Sequence, residues 1–154
     1  MAIDLWLLRH GHAEPHGSRP DDERALTASG REQALAAGRA FAALGVEFAA
    51  VFTSPKLRAR ETAVLACEGL ELEPVVDEAL AVGAELADAR VLLDAAGGRI
   101  LLVGHDPYLS QLVHDVTGAR VRMPKGGVAG MRLGAPPGEL AVLLRPKELE
   151  LLAR

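Results

Sequence analysis

The chain has 154 residues, 49% hydrophobic and 25% charged, with a formal net charge of −4. Its length suits a single domain, 1–154, with a real core, and no run reaches the roughly 18 apolar residues of a membrane span. The negative balance counts against nonspecific nucleic-acid binding, and the single cysteine, Cys67, rules out an internal disulfide and suits a reducing cytoplasm.

Taken in chain order, Ile3–Leu8 predicts a strand buried on both faces, because its residues are almost all apolar rather than alternating. Asp4 and the lack of a basic leader give no expectation of a signal peptide. The strand stops on Arg9-His10-Gly11, without Asn, Asp or Pro to make an ordinary turn. Leu26–Leu44 predicts a helix, with Ser29 and Glu32 at capping-box spacing and Ala34, Ala37, Phe41 and Leu44 on one face. Gly45 suits its C-terminal end. Ala50–Thr53 reads as a second strand and Pro55–Cys67 as a helix with proline in its first turn. Val75–Asp77 is a short strand, and Ala84–Ala95 a helix closed by Gly97-Gly98. Residues 99–105, "RILLVGH", form the clearest strand after the first, followed by a helix over Pro107–Val116. Gly130–Leu133 and Leu140–Arg145 are closing strands, followed by a short tail helix. Aromatic residues make up only 3%, so Leu, Val and Ala must fill the core.

Strands separated by helices imply crossover connections, and hence a mostly parallel central sheet with helices on both faces, a three-layer α/β/α sandwich. Ligands on such sheets bind beyond the carboxyl ends of the strands. The first strand ends at Arg9 and His10, the second runs into Ser54 and Arg58, and the "LLVGH" strand ends at His105. Two histidines and two arginines are thereby delivered to one edge.

As chemistry, two guanidiniums offer planar forks for phosphate oxygens. One imidazole can be a nucleophile if its attacking nitrogen is unprotonated, and a second can be cationic beside a phosphate dianion. Gly11 would let the backbone pass close to a ligand, and its amide could be a further donor. No cluster has metal-ligand spacing, and neither a P-loop nor Gly-x-Gly-x-x-Gly occurs, so no metal and no cofactor is expected. The set suits phosphoryl transfer to histidine, with fixed positive charge in place of magnesium.

At these residues the chain resembles a known family. "RHG" at 9–11, "SPKLRARET" at 54–62 and "VGHDPYLS" at 103–110 look like the three signatures of the histidine phosphatase superfamily, in order and spacing over nearly the whole chain. "RALTASG" at 24–30 is similar to the Arg-x-Leu-Thr-x-x-Gly of its SixA-type phosphohistidine phosphatase branch. The resemblance implies a phosphoglycerate mutase-like fold and a metal-free phosphatase. It implies that His10 carries a covalent phosphoryl group, that Arg9, Arg58 and His105 clamp its oxygens, and that Arg24 contacts the phosphate or the substrate around it. It also implies that the second ring nitrogen of His10 donates to a backbone carbonyl. With His10 neutral and His105 charged, a bell-shaped pH profile is expected.

One departure bears on the substrate. Larger members carry an acid after the third strand in a Leu-x-Glu pattern, where this chain has Leu80-Ala81-Val82; Glu78, Glu85 and Asp106 are the nearest acids. A weak proton donor is tolerable when the leaving group is imidazole, which titrates near ~6.5 when free. The missing acid therefore favours phosphohistidine on a protein. Two readings stand beside it: a phosphatase of small phosphate esters such as sugar phosphates, and a noncatalytic phosphate-binding module.

Blander roles compete at several positions. Arg58 could pair with Glu61 three residues on, Arg60 is left to the surface, and Ser54 and Thr62 read as a cap and a packing residue. His12 could line the mouth of the pocket or be a solvated loop residue, His16 and His114 read as solvated, and Cys67 and Trp6 as core. "KGGVAG" at 125–130 lacks the P-loop pattern and reads as a flexible approach to the last strands, with Lys125 able to face substrate.

Overall fold

The computed structural model describes residues 3–83 and 85–154. Its strands are β1 (Leu5–Arg9), β2 (Ala50–Thr53), β3 (Val75–Val76), β4 (Ile100–Gly104), β5 (Val128–Arg132) and β6 (Glu139–Leu144). They make one sheet in the order β3-β2-β4-β1-β5-β6. The pairs β1–β4, β2–β4 and β2–β3 are parallel; β5 runs antiparallel to both β1 and β6. The helices are α1 (Ala28–Ala43), α2 (Leu57–Cys67), α3 (Leu86–Ala96), α4 (Tyr108–Thr117) and α5 (Pro146–Leu152).

The continuous apolar run of β1 is used on both faces. Leu5 and Leu7 join Ile100 and Leu102 against α3 and α4, while Trp6 and Leu8 join Leu101 and Val103 against α1, α2 and α5. This is the expected three-layer arrangement, and burial of adjacent residues on opposite faces holds the register, since a one-residue slip would exchange them. Small residues bring α1 and α2 together: a side chain at Gly38 would strike the backbone of Ala66. The few rings cluster, Trp6, Phe41 and Phe48 meeting edge to face with centroids 5.1–6.3 Å apart. No helix among the described residues is long and apolar enough to cross a membrane.

Helix ends lie within two residues of expectation. α1 is capped by Thr27, which is extended and accepts from the Gly30 amide at 3.2 Å, rather than by Ser29, which lies inside the helix. α2 starts at Leu57 because Ser54 Oγ takes the Lys56 amide at 3.2 Å, leaving Pro55 in the preceding turn. The expected start of α3, Ala84, lies outside the described residues; Glu85 and Asp88 close its capping box. Two 3-10 turns, Asp21–Glu23 and Glu78–Ala81, are too short to leave a periodic pattern.

Candidate active site

The strands that end in the singled-out residues are neighbours, β2-β4-β1. Pairing continues past their ends: the His10 amide donates to Gly104 O and the Ser54 amide to Val103 O, each at 3.0 Å. Backbone ladders thus fix the bases of both imidazoles. The rings of His10 and His105 stand with centroids 5.2 Å apart, both about 95% buried, at 6% and 5% exposure.

His10 Nδ1 lies 2.8 Å from Gly11 O. A carbonyl can only accept, so Nδ1 carries the proton and Nε2 holds a lone pair. Burial pushes the His10 imidazole down to about 3, aided by the charges of His105, Arg58 and Arg9 and opposed by the Gly11 carbonyl. The ring is a neutral base with its nucleophilic nitrogen defined.

The Gly11 amide, expected to face a ligand, donates instead to Thr62 Oγ1 at 3.1 Å, and Thr62 donates to Arg58 O at 2.7 Å. Gly11 is needed for space: a side chain there would come 2.6 Å from Gly30 O. Thr62 ties the strand-end loop to α2, a role the packing reading foresaw only in part.

Arg9 spends Nη1 on Met123 O at 2.8 Å. Arg58 spends Nη1 on Asp21 O at 2.8 Å and Nη2 on the Asp21 carboxylate at 3.3 Å, so the alternative Arg58–Glu61 pair does not form. Glu61 accepts from the Leu26 amide and from Arg31, both at 3.0 Å. Arg9 Nε, Arg58 Nε and His105 Nδ1 are buried without a partner among the described residues.

Arg24 is buried, and each of its three nitrogens has a protein partner. Nε and Nη2 reach Asp21 Oδ1 at 3.1 and 3.0 Å, and Nη1 reaches Glu14 O at 2.7 Å. Lys56 Nζ joins the same carboxylate at 3.4 Å. Desolvation acts to raise Asp21, but donation from Arg24, the charge of Arg58 and bonds from Lys56 and Arg58 outweigh it and hold the carboxyl well below the carboxylate range. Asp21 and Lys56 carry no sequence signal of this role: Asp21 opens a 3-10 turn and Lys56 immediately precedes α2.

His105 departs from expectation. Burial, then the charges of Arg58 and Lys56, push it down to about 4 against the pull of Asp21, so the ring is neutral near pH 7 in the free protein. Its Nε2 lies 2.7 Å from Ser54 Oγ. Of the acids nearest the missing position, Asp106 binds the Ser110 amide and hydroxyl at 3.0 and 2.6 Å, and Glu85 is engaged in the α3 capping box. Cys67 is buried and its thiol is raised to about 11 by that burial, so it is inert core. His12, His16 and His114 are exposed.

Residues 5–81 match the family model of the histidine phosphatase superfamily (branch 1). The chain belongs to the histidine phosphatase superfamily. An uncharacterised protein of Picosynechococcus sp. is 33% identical over 163 residues, covering 96% of this chain and 99% of its own. Among solved structures, the protein histidine phosphatase SixA complexed with tungstate superposes with a TM-score of 0.82 at 22% identity, over 94% of this chain and 98% of its own. The α-ribazole phosphatase of Shigella flexneri gives a TM-score of 0.75 at 21% identity, over 92% and 96%. The phosphoglycerate mutase-like fold implied by the signatures is therefore the fold of this histidine phosphatase superfamily member.

Proposed function

We propose that this protein is a phosphohistidine phosphatase of proteins, working through a phosphoryl group carried on His10. One observation carries the anion-binding part of this reading: three buried donors, on Arg9, Arg58 and His105, have no protein partner beside the neutral His10 ring. Each unpaired buried donor costs about 1–3 kcal/mol, and a phosphoryl group supplies the acceptors that all three lack.

In the first step the His10 Nε2 lone pair forms a bond to phosphorus while the bond from phosphorus to the substrate nitrogen breaks. The electron pair leaves with the substrate imidazole, which departs neutral when its ring has been protonated. Water then attacks phosphorus, releasing inorganic phosphate and restoring the His10 lone pair. Arg9, Arg58 and His105 bind the non-transferring oxygens, where positive charge and oriented N–H groups favour the transition state. Gly11, by its lack of a side chain, lets the loop that follows His10 pack against Gly30. Arg24 and Lys56 act at the rim, through Asp21. Asp21 is strongly ionised and is a poor proton donor, which supports a substrate whose leaving group needs little help.

The test is turnover of a phosphohistidine protein against a panel of sugar phosphates and other small esters, with trapping of labelled enzyme. The expected result is preference for the phosphohistidine protein and an acid-labile, base-stable phosphoryl label that is absent, with turnover, in His10→Ala. Preference for the esters moves the protein to the small-ester reading. Binding of phosphate without label or turnover on any substrate makes it a binding module.

A further inference from the structure

We infer that Ser54 is a positioning residue which holds the neutral His105 ring in the tautomer protonated at Nδ1, so that this buried ring donates to a phosphoryl oxygen without first becoming charged. The inference rests on the reading of His105 as a phosphoryl donor and adds the group that makes it one.

The argument is an account of protons around one hydroxyl. Ser54 is fully buried, with its amide fixed to Val103 O and its carbonyl accepting from Thr53 Oγ1 at 3.0 Å. Its Oγ has two neighbours within bonding distance, the Lys56 amide at 3.2 Å and His105 Nε2 at 2.7 Å. The Lys56 amide can only donate. If His105 Nε2 also carried a hydrogen, Ser54 Oγ would accept twice and its own buried hydrogen would have no acceptor among the described residues. If Nε2 carries a lone pair, the Ser54 hydroxyl donates to it, and every group at Ser54 is satisfied. A neutral ring with a lone pair on Nε2 has its hydrogen on Nδ1, the His105 atom that is buried and unpartnered.

This arrangement resolves the difficulty raised by the surroundings of His105. Arg58 on α2, Lys56 before it, Arg9 on β1 and the neighbouring His10 ring all face it, with the Asp21 carboxylate as the opposing charge. Four of these disfavour an imidazolium or offer it nothing, so a donor that depended on protonation would be scarce near pH 7. Fixing the tautomer supplies an N–H in the neutral state.

The test reads the tautomer directly. In the free wild-type protein above pH 6, nitrogen-15 shifts of His105, assigned by comparison with His105→Gln, are expected to show a pyrrole-type Nδ1 and a pyridine-type Nε2. A hydrogen on Nε2 would falsify the proposal whatever the activity, because this measurement needs no turnover; conversely, absence of phosphatase activity with the expected shifts removes the functional reading and leaves the tautomer assignment standing. In Ser54→Ala, kcat is expected to fall on the order of 10- to 100-fold at pH 8, as when a ring-orienting partner is removed, and the His105 nitrogen-15 shifts are expected to move toward a mixture of the two neutral tautomers. Ser54→Thr keeps the hydroxyl and is expected to recover most of the loss at pH 8. A loss of kcat in Ser54→Ala with the His105 shifts unchanged would show a packing role only and would overturn the inference.

Discussion

The two histidines and the rim cations are built differently. His10 and Ser54 extend the ladders of β1 and β2, with backbone bonds of 3.0 Å beyond the strand ends, and His105 follows Gly104, whose carbonyl takes the His10 amide. Arg24, Arg58 and Lys56 converge instead on the side chain of Asp21, which is 48% exposed on a 3-10 turn with no buried residue of its own. The His10 ring inherits the rigidity of a sheet, because moving it would break main-chain bonds. The rim is held by ion pairs that solvent screens. On the proposed reading, rigidity lies where phosphorus would be transferred and adaptability where a substrate would enter.

The largest effect that would test this contrast is loss of a cation that serves both regions. Arg58→Ala removes a buried donor beside the rings and releases Asp21, and is expected to lower kcat by about 10²–10³. A change of less than tenfold would place Arg58 with the rim alone. The measurement is steady-state turnover on a phosphohistidine substrate or phosphoramidate.

Acid sensitivity of folding comes next. Both rings have folded values, about 3 and about 4, below that of free histidine near ~6.5, so the unfolded chain binds protons that the folded chain excludes. Stability is therefore fully present above roughly pH 7 and lost as pH falls toward 4. By pH 5 each ring contributes a loss of about 2 kcal/mol, about 4 kcal/mol for the pair. Denaturant midpoints at pH 7.5 and 5 measure it. His105→Gln should halve the change, and a midpoint that does not move would show that the rings are charged or exposed in solution.

The smallest effect belongs to the rim. Asp21→Asn removes the carboxylate shared by Arg24, Arg58 and Lys56, and is expected to change turnover by less than about tenfold, as for partly exposed pairs worth around 1 kcal/mol. It should also steepen the dependence of KM on salt, since positive charge at the entrance is no longer offset. A loss as large as that of Arg58→Ala would mean that Asp21 belongs with the rings.

Much of this architecture was legible in the chain. The uninterrupted apolar residues of β1 and β4 require cover on both faces, and Arg9, His10 and His105 follow directly at their ends, so both the layers and the shared edge could be read from local pattern. The position of Arg58 in the first turn of α2 followed in the same way. The caps were less readable: Thr27 and Ser29 are both capping types, and only the extended backbone at Thr27 decides between them. Lys56 and Asp21 lie 35 residues apart and meet through folding alone, so no spacing announced them.

The order of apolar and polar residues by itself determined that strands and helices alternate and that a histidine and an arginine stand at the end of β1, because period and burial are local properties. Tertiary structure decided which donors stay free. It committed the Gly11 amide to Thr62 and the outer nitrogens of Arg58 to Asp21, left one nitrogen of each key side chain unpaired, and kept His105 neutral by burying it among cations. Hydrogen-bond partners and charge states depend on distances across the chain, and those exist only once it has folded.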